Sequence, residues 1–284
     1  MGKPKLSICA AELAGMIGEK DIKHLKEFGV SWIELYFTGN VDKNNAKKVK
    51  ELFDSNKLGV SALNTWTEWY WDESKIKDGS LVKHLQDALS VAKILKTKNM
   101  IVYGALGDSE VNNEQEIAEY IKRMEPIAKA AKEENITLVL ENDFHIKGRE
   151  LTRRALTVKK LVKQFNRDNF LINFDPCNFM VAGEEPYPYA YGVIKEYIGY
   201  MHIKDATRYV PEKHGEVPLQ TDLSGKYACT PAGEGAVNYT GLIKQLLEDG
   251  YDGFLSVEPH VRKEIVDETV KKGTNFLGKC GVIS

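Results

Sequence analysis

Residues 198–206, IGYMHIKDA, form a short apolar run that ends by presenting His202, Lys204 and Asp205 within four positions. The run is too hydrophobic for a loop, and from Thr207 onward the chain turns polar and irregular. A strand that buries its body and carries ionisable groups at its C-terminal tip is the usual build of an α/β catalytic face. One such tip decides little, because a core strand with a solvated end reads the same way. Here the pattern recurs. LVLEND at 138–143 delivers Glu141, NFDPCNF at 173–179 delivers Asp175, and SVEP at 256–259 delivers Glu258.

Outward from these four, the same alternation covers the chain. Apolar segments at 7–13, 32–37, 59–66, 99–103, 136–140, 170–174, 198–206 and 253–257 read as strands. Between and after them lie helical patterns at 20–28, 42–56, 79–95, 112–134, 156–165, 186–197, 239–247 and 264–277. The 79–95 segment repeats Leu81, Leu85, Leu89 and Ala92 at the spacing of one buried helix face. Eight strands apolar on both faces, each followed by a helix, predict a parallel sheet covered all round. Eight repeats close naturally into a (β/α)8 barrel, and 284 residues suit one. An open doubly wound sheet is the alternative, but CAAELAG after the first strand is not its glycine-rich phosphate turn. No linker divides the chain, so residues 1–284 read as a single domain. The long segment 207–237 after the seventh strand reads as an irregular loop of the length that lids have.

Composition narrows the function. A net charge of −2 gives no electrostatic case for nucleic acid or an anionic membrane surface. No apolar run approaches the roughly 20 residues that span a bilayer. The opening MGKPKLSICAAEL is too short in its apolar part for a secretory signal, and Leu6 breaks the myristoylation pattern. Four dispersed cysteines with no C-x-x-C pair suit reduced thiols and a cytoplasmic location.

In a barrel, strand ends converge on one mouth. Three carboxylates and an imidazole brought together there would repel strongly without a cation among them. Such a donor set suits one divalent ion such as Mn2+, Mg2+, Co2+ or Zn2+. The bland alternative is that the four cap helices or pair with rim lysines.

The segments LVLEND, NFDPCNF, MHIKD and SVEP, in this order, resemble the xylose-isomerase-like TIM barrels, the sugar phosphate isomerase/epimerase superfamily. Residues 231–239, PAGEGAVNY, resemble a glycine-rich run those proteins carry before the seventh helix. Over the first half the resemblance rests on strand order and on WIELY at 32–36. It implies the metal ligands Glu141, Asp175, His202 and Glu258, with Mn2+ as the first expectation, and assembly into dimers or tetramers. In the ketose 3-epimerase branch, the two metal-bound glutamates act as an acid/base pair through an enediolate. That role falls here on Glu141 and Glu258. The branch also places a substrate-binding arginine where this chain has Arg208. It has a histidine where this chain has Asn178 and a glutamate where this chain has Lys147, two departures from a straightforward ketohexose epimerase. Relatives with the same ligands isomerise hydroxypyruvate or dehydrate inosose and 3-dehydroshikimate.

Other residues join the candidate substrate contacts. Lys204 is two positions after His202 and so on the same strand face, free to stabilise an enolate or to pair with Asp175 or Glu258. Glu34, inside the second strand, would point into the mouth or support a ligand, since a buried carboxylate needs a partner. Trp66, with Trp69, Tyr70 and Trp71, offers aromatic faces for a sugar ring or for packing. Asp205 reads as structural, Cys177 as wall, His260 as support for a ligand, and His24 and His84 as solvent-facing helix residues. An endonuclease IV-like repair enzyme would need more histidines than the six present, and a basic DNA face. A non-catalytic sugar-binding barrel would have no use for four intact ligands. The expectation is therefore a metal-dependent isomerase or epimerase of a small sugar or sugar-like ketone, or a dehydratase of a cyclic polyol ketone.

Overall fold

Short runs such as FLINF and IGYMHI become strands because both of their faces find apolar partners, the barrel interior on one side and helices on the other. In the computed structural model, which describes residues 2–104, 113–144, 150–215, 220–222 and 225–282, the strands are eleven. They are β1 (Lys5–Cys9), β2 (Trp32–Tyr36), β3 (Gly59–Asn64), β4 (Asn99–Val102), β5 (Thr137–Glu141) and β6 (Phe170–Phe174). The series continues with β7 (Ile198–Ile203), β8 (Asp205–Arg208), β9 (Gln220–Asp222), β10 (Gly225–Thr230) and β11 (Phe254–Val257). Eight of them close a barrel in the order β1-β11-β7-β6-β5-β4-β3-β2. Every adjacent pair in it is parallel, as right-handed β-helix-β units require. The (β/α)8 fold read from the sequence is the fold observed.

The helices sit outside. In the helix Ser80–Leu95, residues Leu81, His84, Leu85, Ala88, Leu89, Ala92 and Leu95 are buried, at helical spacing, against the sheet. His84 is thus an inward residue and not the solvent-facing one expected. It stands three after Leu81 and four before Ala88, on the same stripe. Its Nε2 meets the Thr65 carbonyl at 3.1 Å, and its ring packs against Phe37 and Trp69.

Two other segments differ from expectation. Residues 186–197 do not form one helix. Two prolines at 186 and 188 break the run, which becomes short helical turns up to the helix Tyr191–Ile194. The helix that directly follows β6 is instead Pro176–Val181, capped by Asp175. After β7 the chain also leaves the barrel as an antiparallel sheet of order β8-β10-β9, within the stretch expected to be irregular.

PAGEGAVNY brings the chain back from this excursion. The Asp205 carboxylate accepts backbone N–H groups from Gly233 and Gly235, both at 3.0 Å, and from Val237 at 3.1 Å. A Cβ on Gly235 would stand 2.1 Å from Asp205 Oδ1, so only glycine admits this approach. Tyr239 OH then donates to the Lys204 carbonyl at 2.7 Å, fixing the exit of β7. Asp205 is structural, as read.

Candidate active site

Tyr200, His202 and Lys204 alternate along the end of β7 and its exit, so all three point to the barrel axis. Glu141 closes β5, while Asp175 and Glu258 directly follow β6 and β11. The structure brings the four together. One donor atom from each of Glu141, Asp175, His202 and Glu258 lies within 4.8 Å of all the others, and all four residues are buried. His202 Nδ1 is 3.4 Å from Glu141 Oε2 and 3.6 Å from Glu258 Oε2.

Each donor is held by its surroundings. Asp175 Oδ1 accepts the Asn178 N–H at 2.9 Å as the cap of the following helix. Asn142 locks β5 to β6 by accepting the Asp175 N–H at 2.8 Å and donating to the Asp175 carbonyl at 2.9 Å. Asn178 donates its amide to Glu141 Oε1 at 3.2 Å and to the Asn142 carbonyl at 2.9 Å. Glu258 Oε1 accepts from Tyr36 OH at 3.3 Å and lies 3.1 Å from His260 Nε2. Lys204 Nζ sits 2.8 Å from both Asp175 Oδ2 and Glu258 Oε2, so the expected pairing with strand-end carboxylates is made to both at once.

Burial and charge oppose each other throughout. Burial alone would keep the Lys204 amine and the His202 imidazole neutral. For Lys204, the charges of Asp175, Glu258 and Glu141 outweigh burial and hold its pKa well above the usual lysine value. For His202, Glu34, Glu258 and Glu141 do the same and raise it well above 6.5. The two glutamates of the cluster part company. Burial raises the pKa of Glu141, whereas Lys204, His260 and His202 overcome burial at Glu258 and hold it well below the carboxylate range.

The donor set fits a metal ion. Oxygen and imidazole ligands at about 2.0–2.2 Å from a common centre stand up to about 4.4 Å apart, close to the spread seen here. Asp175 Oδ2 is buried and accepts no well-directed hydrogen bond; it meets the Lys204 ammonium alone among its described neighbours. His202 has its other nitrogen on a carboxylate, the arrangement that orients metal-bound histidines.

The remaining expectations sort by depth. Glu34 does not reach into the mouth. Its carboxylate lies one layer below, fully buried, with His202 Nε2 at 3.0 and 3.1 Å. Trp66 is 43% exposed beside the mouth, its N–H bound to Asn64 Oδ1 at 3.0 Å and its ring 5.8 Å from that of Trp71. Arg208 is not brought to the donor cluster. It is exposed on β8, its guanidinium 4.6 Å from the Tyr227 ring centre. Asn178 is committed to Glu141 and Asn142. Cys177 is wall, its thiol pKa pushed up by burial. Lys147 lies outside the described residues. Sequence reasoning missed Tyr36, Asn173 and Tyr200. Each carried the same signal, strand parity with a singled-out residue: Tyr36 with Glu34, Asn173 with Asp175 and Tyr200 with His202.

Fold and donor set together define a (β/α)8 barrel with a candidate metal site at the C-terminal ends of its strands. The chain belongs to the xylose isomerase-like TIM barrel family, whose sequence profile matches residues 22–280. No curated protein matches the sequence significantly. Among solved structures, a D-tagatose 3-epimerase-like protein is similar at 17% identity and TM-score 0.76, covering 97% of this chain and 96% of its own. The IOLI protein with a bound zinc atom is similar at 17% identity and TM-score 0.75, covering 97% of each chain. The probable 3-DHS dehydratase AsbF of Bacillus anthracis is similar at 19% identity and TM-score 0.72, covering 96% of this chain and 98% of its own. At these identities the likeness is one of fold. No helix among the described residues is long and apolar enough to cross a membrane.

Proposed function

We propose that this protein is a divalent-metal-dependent isomerase or epimerase of a small sugar or sugar-like ketone. The observation that carries this reading is the convergence of four buried donors within 4.8 Å, two of them glutamates. The ion, Mn2+ first with Mg2+, Co2+ or Zn2+ as substitutes, would be held by Glu141, Asp175, His202 and Glu258 and would supply Lewis-acid polarisation of a carbonyl and its neighbouring hydroxyl. The chain's own residues move the proton. Glu258, kept ionised beside Lys204, takes it from the carbon next to the carbonyl. Glu141, across the cluster from Glu258, returns a proton on the opposite face. Lys204 stabilises the oxygen that becomes negative, and Trp66 offers a face to the ring. Arg208, further out on the rim, meets hydroxyls of a longer substrate.

A dehydratase of a cyclic polyol ketone is the second reading, favoured by two observations. Asn178, where the epimerase branch has a histidine, spends its amide on Glu141 and Asn142 and not on the mouth. The Lys204 ammonium stands 2.8 Å from Glu258, placed to assist departure of a hydroxyl once the proton has gone. Proton NMR in D2O, with added Mn2+ and a panel of ketoses and inososes, tests both. Exchange at the carbon next to the carbonyl, with every hydroxyl retained, supports the isomerase. Loss of water to an enone supports the dehydratase. No exchange with any of them, in the metal-loaded protein, overturns both.

A further inference from the structure

Beneath His202 the barrel carries polar side chains in layers that branched apolar residues ordinarily fill. Ser7 Oγ lies 2.7 Å from Ser61 Oγ, and Ser61 Oγ lies 2.9 Å from Tyr200 OH. Tyr200 OH donates to Glu34 Oε2 at 3.1 Å, and the Glu34 carboxylate meets His202 Nε2. Asn64 Nδ2 donates to Glu34 Oε1 at 3.1 Å, and Tyr103 OH donates to Asn64 Oδ1 at 2.9 Å. Ser7, Ser61, Tyr200, Glu34, Asn64 and His202 are all at most 1% exposed. Burying a carboxylate and this many hydroxyls costs free energy that an apolar filling would avoid. The column therefore has a use other than stability, and its upper end shows which.

Both oxygens of the Glu34 carboxylate lie at 3.0–3.1 Å from His202 Nε2, so Nε2 faces the column and Nδ1 faces the donor cluster. The group closest to the other nitrogen is a donor, Asn173 Nδ2, at 3.3 Å from Nδ1. Nδ1 is the nitrogen that faces Glu141 and Glu258, at 3.4 and 3.6 Å, so an ion held among the donors meets Nδ1 while Nε2 keeps its proton for Glu34. We propose that Glu34, supported from below by Tyr200, Ser61 and Ser7, is the positioning residue of the metal centre. It fixes Nδ1 as the ligand atom of His202 and raises its basicity through the shared proton on Nε2. The proposal rests on the metal reading above, and it assigns the column's cost to metal affinity.

The test uses the full chain, stripped with a chelator and titrated with Zn2+ as the probe, against the Glu34→Gln and Tyr200→Phe variants. Glu34→Gln keeps shape and an acceptor oxygen but loses the charge, and should weaken Zn2+ binding by about 10- to 100-fold. Tyr200→Phe, one bond further away, should weaken it by a smaller factor. Nitrogen NMR of the Zn2+-loaded, histidine-labelled protein should show metal on Nδ1 and a proton on Nε2 of His202. The Nε2–H signal should move in Glu34→Gln while the rest of the amide spectrum is retained, a change that loss of packing would not produce. If Glu34→Gln fails to fold, Tyr200→Phe decides by the same two readouts. Unchanged affinity in the variants, or His202 bound through Nε2, overturns the proposal and leaves the metal reading standing. An unaltered protein that takes up no Zn2+ overturns the metal reading, and this inference with it.

Discussion

Four neighbouring strands, β11, β7, β6 and β5, carry the donor set, whereas their counterparts β1 to β4 carry none of it. The second group supplies Ser7, Glu34, Ser61 and Asn64 inside the barrel and Tyr36 and Tyr103 toward its mouth. One half of the barrel presents the donors with their nearest partners, and the other half braces them from below through Glu34 and from the side through Tyr36. The donor half sets three carboxylates against the Lys204 ammonium and the His202 imidazole, in the absence of any ion. The holding half is a satisfied hydrogen-bond network whose outputs are the Glu34 carboxylate under His202 and the Tyr36 hydroxyl on Glu258. A pocket built this way separates two tasks that mutation can take apart. Changes on the donor strands should abolish metal and chemistry together, and changes on the holding strands should grade them.

The largest effect belongs to the donors. Replacing His202 by Ala together with Glu258 by Gln removes two of the proposed ligands and one of the proposed acid/base pair. Metal content measured by mass spectrometry should fall from about one ion per chain to background. Solvent-deuterium exchange into substrate should drop by about 10³-fold or more, the scale on which general acid–base groups act. Retention of a full equivalent of metal in this double variant would show that the donors have been misassigned.

Lys204→Met comes next and separates charge balance from coordination. Without the ammonium, Asp175 and Glu258 become buried carboxylates that have lost their shared cation, a defect of about 3–5 kcal/mol. The metal-free variant should therefore melt at lower temperature than the metal-free parent. Added Mn2+ or Zn2+ should raise the melting temperature more in the variant, because the ion no longer shares its ligands with a competing cation. Equal melting temperatures of the two metal-free proteins would mean that the ammonium does not hold the donor half together.

The same division explains what the sequence disclosed. The donors were legible because each obeys a rule local to the chain, a charged residue directly after an apolar run. PAGEGAVNY was legible as a motif, although its purpose, to wrap Asp205 and clamp Lys204, needed coordinates. The holding half was not legible because its logic is transverse. Nothing in WIELY says that Glu34 will lie under a histidine on β7, with 168 positions of chain between them. Asn178 was singled out, and counted among the candidate substrate contacts, because it stands three after Asp175 where the epimerase branch has a histidine, and only the fold shows its amide turned toward Glu141. The helix over 186–197 failed for a local reason, two prolines that outweighed its apolar spacing.

His84 gives the smallest effect and tests the outer edge of the holding half. The residue braces the stretch after β3 through the Thr65 carbonyl, just before Trp66. Burial lowers its pKa below 6.5, against smaller opposing contributions from Thr65 and Asp87. A histidine whose folded pKa is depressed is favoured in the fold when neutral. Its contribution is present above pH 6.5 and declines as pH falls, since the unfolded chain then takes a proton that the folded one resists. Below pH 6.5 the parent should therefore lose stability faster than His84→Gln, which keeps an amide donor for Thr65 and has no titration. The gap should widen toward pH 5 and stay within about 2–4 °C of melting temperature, the shift that ~1 kcal/mol makes in a large domain. Parallel melting curves for the two proteins between pH 5 and 7 would mean that His84 accepts its proton in place. The brace behind Trp66 would then be soft, and the rigidity attributed to the holding half would stop at the barrel wall.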